Sequence, residues 1–276
     1  MRSAFFLYSK GQNGSIAPCE VLWEMQPRVY KIALFCCGKT WYNKKEEARE
    51  EVRGMIEIYG VRMSMLPNRH VMGACLPTEL YETWRARHRS VRSEITAKSS
   101  LAGLYLLEHC LPNIELCYDE DGRPYSVGSS VDFNITHTNE LTLLALDRGG
   151  EGRTPRVGLD AEDLSRLTSV RICPIAERWF SPREYADFLV EPTDDMFLQI
   201  WTRKESLIKW TGHGMRSLRA ADTTHAKIDY GVNFSDYRID NTLVALCAAA
   251  DVETPHVIQM LSVSDLVALG LPEMEG

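Results

Sequence analysis

The sequence predicts a mixed α and β fold, and three features lead there. Residues 56–63 alternate apolar and polar side chains, as a half-buried strand does. Residues 141–146 are a continuous apolar run that suits a buried strand, and apolar runs at 243–250 and 257–261 read as two more strands. Segments of helical character lie between them: residues 79–92, the largely apolar 99–107, 175–180 and 197–210.

A length of 276 residues suits one or two domains with a sizeable core. With 45% hydrophobic and 25% charged residues, the composition is that of a soluble globular protein. The net charge of −7 disfavours nonspecific nucleic-acid binding, although local basic clusters can still hold phosphate. Eight cysteines are present, none in a CxxC pair and most among apolar neighbours. They read as reduced thiols, with no disulfide framework and no zinc site. No apolar run approaches a membrane span, and residues 1–8 turn polar too soon for a signal peptide. The expected location is cytoplasmic.

Residues 29–37 form a candidate strand. Residues 44–53 form a charged helical run in which Glu46, Glu47, Glu50 and Glu51 are set against Lys44, Lys45, Arg49 and Arg53, a pattern typical of a solvated face. No chemistry is visible before Met55. The 79–92 helix carries Arg85, Arg87, His88, Arg89 and Arg92, with Lys98 following. This run is either solvated surface or a phosphate-binding patch, since Lys point charges and forked Arg donors both suit phosphate. Residues 119–124 and 149–155 are turns by composition. His137, within 131–138, is by itself more often a structural hydrogen-bonder.

Val157-Gly158-Leu159-Asp160-Ala161-Glu162-Asp163 carries Asp160 and Glu162 spaced i and i+2, which an extended strand points to one side. Two such carboxylates repel unless a cation lies between them. Mg²⁺ suits that place, because it takes hard oxygen ligands and shares its shell with substrate phosphate. The plainer account is a strand running into an acidic helix N-terminus, where Glu162 and Asp163 favour the dipole. Ser181, Pro182 and Glu184 fit an N-cap, a first-turn proline and a capping-box acid. Glu205 and Lys209 share one helix face at i and i+4, which alone is a surface pair worth about a few tenths of a kcal/mol. Gly212 stops that helix.

The order of these segments is more specific than any one of them. Phe133-Asn134-Ile135-Thr136-His137-Thr138 is followed by Val157-Gly158-Leu159-Asp160-Ala161-Glu162. Phe180-Ser181-Pro182-Arg183-Glu184 comes next, and last the helix from Trp201 through Lys204-Glu205-Ser206 to Lys209. The series resembles the Sfp-type 4′-phosphopantetheinyl transferases, whose signatures are an FNxSHS-like segment, a GIDIE-like strand, FSxxE and WxxKESxxK. The last of these is complete here. Asp121-Gly122-Arg123-Pro124 is similar to the family's GKP turn, with Arg for Lys. Thr136 and Thr138 replace serines but keep hydroxyls, Ala161 replaces a bulky aliphatic, and Ser99 stands where the family often has Arg. The resemblance spans roughly Met55 to the C-terminus.

That resemblance implies an α+β fold of two similar halves related by a pseudo-two-fold, residues 55–150 and 151–276, with the site in the cleft between them. Residues 1–54 would be an N-terminal extension or an upstream start, with Met55 the native initiator. The implied reaction moves 4′-phosphopantetheine from coenzyme A to a serine of an apo carrier protein, as holo-[acyl-carrier-protein] synthases do, and releases adenosine 3′,5′-bisphosphate. Asp160, Glu162 and Glu205 would hold Mg²⁺, with Mn²⁺ the alternative because oxygen ligands suit both. Lys209 would contact the transferring phosphate. Thr136 and His137 would bind coenzyme A, with Lys98, Ser100 and Arg123 as weaker carry-overs. The general base would be Glu184, Glu205 or a water polarised by the ion. The implied partner is an acyl, peptidyl or polyketide carrier, as in secondary metabolite biosynthesis, and the implied state a monomer. A catalytically silent carrier-binding relative is the alternative. A different magnesium phosphotransferase is disfavoured by the lack of a Walker-type or kinase-type glycine loop.

Overall fold

A computed structural model describes residues 2–10, 16–26, 29–36, 39–40, 56–88, 93–150, 152–167 and 171–272. The chain divides into two compact units, Met1–Val52 and Arg53–Gly276. The first contains an antiparallel sheet of β1 (Arg2–Lys10), β2 (Ile16–Gln26), β3 (Val29–Cys36) and β4 (Lys39–Thr40), paired in chain order. β3 covers residues 29–36 of the strand expected at 29–37, and Cys37 lies outside the described residues. The helical run expected at 44–53 lies outside the described residues.

The second unit begins with β5 (Ile56–Arg62), α1 (Arg69–Cys75), α2 (Thr78–Arg87) and α3 (Glu94–Cys110). The hairpin β6 (Leu116–Tyr118) and β7 (Pro124–Ser126) leads to β8 (Asp132–His137), β9 (Leu141–Asp147) and β10 (Val157–Asp163). Then come α4 (Ile172–Trp179), α5 (Pro182–Val190), α6 (Asp194–Thr211) and α7 (Ala226–Asp229). β11 (Val232–Ile239), β12 (Thr242–Ala249), β13 (Gln259–Met260) and α8 (Val263–Ala268) complete it.

The helix ends follow local chemistry. Ser181 and Glu184 form a reciprocal capping box that starts α5. Thr193 caps α6 by accepting from Met196 N, Asp194 and Asp195 sit in its first turn, and Gly212 ends it at φ 78°.

One sheet runs β13-β5-β9-β8 and the other β10-β12-β11. Each contains the same series: a strand, a long helix, then two strands, with the last strand central between the other two. In the first the elements are β5, α3, β8 and β9. In the second they are β10, α6, β11 and β12. The central strands divide their side chains between two cores. Leu144 and Leu146 of β9 pack with α3, while Leu143 and Ala145 meet Leu159, Val244 and Leu246 of the other sheet. Cys247 of β12 packs with Leu207 and Ile208 of α6. The layers are therefore helix, sheet, sheet, helix.

One strand expectation needs correction, and one strand was missed. Residues 257–261 supply only the two-residue β13, and Val257 is 70% exposed. β11 was not foreseen: Val232 and Phe234 alternate with polar neighbours, as do Tyr237 and Ile239, but Ser235 and Asp236 are both polar, so the apolar phase shifts in mid-strand. Among the described residues no helix is long and apolar enough to cross a membrane.

Candidate functional site

β10 organises the site. Val157, Leu159 and Ala161 enter the core between the sheets, so Gly158, Asp160 and Glu162 point the other way, toward α6. A Cβ at Gly158 would lie 2.0 Å from the carbonyl oxygen of Ser206 and 2.7 Å from the amide of Trp210. Only glycine allows the helix to lie this close. The approach brings the Lys209 ammonium to Asp160, where it donates to Oδ1 at 2.7 Å and to the Leu159 carbonyl at 2.9 Å. The Thr136 hydroxyl of β8 donates to the same Oδ1 at 3.2 Å.

The second oxygen of Asp160 differs. Oδ2 is buried and has no hydrogen-bond partner among the described residues. A buried carboxylate oxygen without a donor costs about 1–3 kcal/mol, or more when charged, so the position asks for a cation. Among the described residues, no three His, Cys, Asp or Glu side chains form a closed metal cluster. Mg²⁺ requires none, because it keeps waters and is commonly bound by one or two carboxylates plus phosphate oxygens. Asp160, with half-buried Glu162 on the same strand face and half-buried Glu205 on α6, fits that donor set.

A cavity of about 290 Å³ adjoins the site, its wall including Gly122, Arg123, Asn134, Glu205, Lys209 and Met215. Its lining comes from the 121–124 turn and β8 on one side and from α6 and the residues after it on the other. The Arg123 guanidinium is largely committed to protein partners. It pairs with Asp132 at 2.6 Å, donates to the Val157 carbonyl at 2.9 Å, and donates to the Lys209 carbonyl. Burial lowers the Arg123 pKa and raises that of Asp132, each partly opposed by the other's charge. Asp132 also accepts from the Val157 amide at 2.8 Å, and Asn134 from the Leu159 amide at 3.1 Å.

The other expected residues lie elsewhere. His137 is exposed at the end of β8. Lys98 and Ser100 sit on α3, outside the cavity wall. Ser100 accepts from Trp84 Nε1 at 2.8 Å and lies 3.3 Å from His88 Nε2. Half-buried Lys98 has its ammonium pKa lowered by desolvation, with Glu94 opposing. Of the basic run, Arg85 pairs with Glu82 and Arg87 stacks over Tyr118 while donating to the Gly122 carbonyl. Arg89 and Arg92 lie outside the described residues.

Glu184 is fully buried and does not line the cavity. Its Oε2 accepts from Lys204 Nζ at 2.5 Å and Ser181 N at 2.8 Å, and its Oε1 from the amide and hydroxyl of Thr223, each at 2.8 Å. Lys204 also donates to the Ala221 carbonyl, and burial lowers its pKa against the pull of Glu184. Sequence reasoning overlooked Asp132, Asn134, Gly158 and Lys204. For the first two a signal existed, since 132, 134 and 136 are polar at every second position of a strand.

Comparison with known proteins bears on the same elements. The family model described as the 4′-phosphopantetheinyl transferase superfamily matches residues 156–248, from β10 to β12. The 4′-phosphopantetheinyl transferase AcpT of Salmonella typhimurium is 31% identical over 166 residues, covering 58% of this chain and 81% of that protein. The 4′-phosphopantetheinyl transferase psf-1 of Bacillus pumilus is 28% identical over 190 residues, covering 64% of this chain and 72% of its own. The 4′-phosphopantetheinyl transferase Sfp of Bacillus subtilis is 26% identical over 195 residues, covering 65% and 82%.

Proposed function

The chain belongs to the 4′-phosphopantetheinyl transferase superfamily, and from that premise we propose that it transfers 4′-phosphopantetheine from coenzyme A to a serine of an apo carrier protein. The observation that carries this reading is the junction of β10 and α6: Asp160 with one buried oxygen unpartnered, Lys209 bonded to the other, and Glu205 on the adjoining cavity wall. Asp160, Glu162 and Glu205 would hold Mg²⁺ or Mn²⁺. When bound, the ion supplies neutralising charge to the pyrophosphate of coenzyme A and polarises the phosphorus under attack.

The protein's own groups do the rest. Lys209 presents a cation to the transferring phosphoryl group, held in place by Asp160 and the Leu159 carbonyl. Thr136 steadies Asp160, and His137 at the strand end adds a donor for coenzyme A phosphate. The carrier serine oxygen forms a bond to phosphorus as the bridging oxygen of adenosine 3′,5′-bisphosphate leaves. Glu205 takes the serine proton. Glu184 is the weaker candidate for that role because the protein already occupies both its oxygens, and we assign it to holding Lys204. Arg123 contributes to the cavity wall chiefly by bracing it.

The repeated strand-helix-strand-strand order supports two halves, residues 55–150 and 151–276, related by a pseudo-two-fold, with residues 1–54 as a separate extension. One chain supplies both cavity walls, which supports a monomer. The test is to incubate the protein with coenzyme A, Mg²⁺ and apo carriers of fatty-acid, polyketide and peptide synthesis, and to read the mass of each. A phosphopantetheine adduct is expected, and no gain on any carrier would defeat the proposal. Glu205→Gln should slow transfer by roughly a hundredfold or more with an unchanged melting curve. Wild-type turnover in that variant removes Glu205 from its role.

A further inference from the structure

β10 is the edge strand of its sheet, so the amides of Val157 and Leu159 on its open side need acceptors. Side chains of β8 supply them, Asp132 at 2.8 Å and Asn134 at 3.1 Å, and Thr136 two residues on reaches Asp160 itself. Arg123 closes the junction by bonding Asp132 and the carbonyls of Val157 and Lys209. One carboxylate and one guanidinium thus tie β8 and the 119–123 turn to the start of β10 and the last turn of α6. Both tied ends carry site groups: Asp160 lies three residues along β10, and Lys209 offers its own carbonyl to the clamp.

We propose that Asp132 is a positioning residue for phosphoryl transfer, latching the first half to β10 and α6 so that Asp160 and Lys209 keep their register across the cavity. This rests on the transferase reading above. Asp132 is not part of the cavity wall, so its effect passes through Val157 and Arg123. A displacement of about 1 Å among reacting groups is enough to cost on the order of a hundredfold in rate, so a latch outside the cavity has kinetic weight.

The experiment compares Asp132→Ala, which removes both bonds, with Asp132→Asn, which keeps an oxygen for the Val157 amide and for Arg123. At a temperature where melting curves show each variant folded, kcat/KM for coenzyme A should fall roughly tenfold to a hundredfold in Asp132→Ala. Asp132→Asn should regain most of that loss. Hydrogen exchange at the Val157 amide should quicken in Asp132→Ala alone. A purely stabilising role predicts a lower melting temperature with unchanged kcat/KM, and that result overturns the proposal, as does equal loss in both variants. Should Asp132→Ala not fold, Asp132→Glu keeps the charge but shifts the oxygens by one methylene, and full wild-type rate in it also overturns the latch. If the wild type modifies no carrier, the transferase reading falls. Exchange at Val157 then decides the latch by itself, unchanged protection in Asp132→Ala defeating it.

Discussion

Gly158 shows how much of the site rests on what one side chain lacks. With the Ser206 carbonyl oxygen 2.0 Å from where a Cβ would stand, an alanine there must push α6 off β10, because both sides of the contact are backbone and cannot rotate away. Overpacking of this kind costs about 1–3 kcal/mol, and the site adds a kinetic consequence because Lys209 rides on the displaced helix. Gly158→Ala should therefore lower the urea midpoint and reduce transfer in the folded fraction. A variant with wild-type midpoint and rate would show that the helix does not need this proximity. At this scale the sequence was partly readable. The i, i+2 spacing of Asp160 and Glu162 predicts a shared face, and the core positions of Val157, Leu159 and Ala161 agree. The unpartnered Oδ2 of Asp160 was not readable, because it depends on the donors that β8 and α6 bring from far along the chain.

At the scale of elements, α5 and α6 are joined through a buried ion pair. Lys204 and Glu184 are both fully buried, and the Ser181 amide with the amide and hydroxyl of Thr223 completes the acid's shell. Such a pair is weak evidence of net stabilisation, but breaking it strands a charge and costs about 3–5 kcal/mol. Lys204→Met should lose that much in equilibrium unfolding, and Lys204→Met with Glu184→Gln should recover a substantial part, since no lone buried charge then remains. A single variant as stable as the wild type would contradict the arrangement. Capping chemistry made these helices legible, because Ser181, Glu184 and Gly212 act over one turn of chain. The C-terminal strands were harder. Apolar runs drew attention to 257–261, whereas β11, whose alternation changes phase at Ser235 and Asp236, pairs along its full length with β12. Alternation on a half-exposed edge is a fainter mark than a buried run, yet the hydrogen-bonded ladder follows it.

At the scale of the whole second unit, the two sheets meet through a shared apolar core and through the side-chain ladder from β8, and Asp132 is the charged rung of that ladder. The mixed fold could be read from periodicity, while the way one half's side chains serve the other half's edge could not, since no local pattern encodes an acceptor for a distant amide. Burial raises the Asp132 pKa, with the Arg123 charge, the Val157 amide and the Arg156 charge pulling the other way, while Asp119 adds its charge on the Arg123 side. A carboxyl whose folded pKa is raised contributes stability that is present below its unfolded pKa of about 4 and is lost as pH rises through the folded value. Asp132→Asn, neutral at every pH, should therefore be more stable than the wild type near neutrality, with the difference closing as pH falls below the ordinary carboxylate range. Urea unfolding of the two proteins between acid and neutral pH measures it. A variant less stable throughout, or a gap that widens on acidification, would mean that the Arg123 pair outweighs the burial of its charge. The expected pattern would instead mean that the hold on Arg123 and on the Val157 amide rests on an acceptor oxygen, which asparagine keeps, while the charge of Asp132 is carried at some expense of stability.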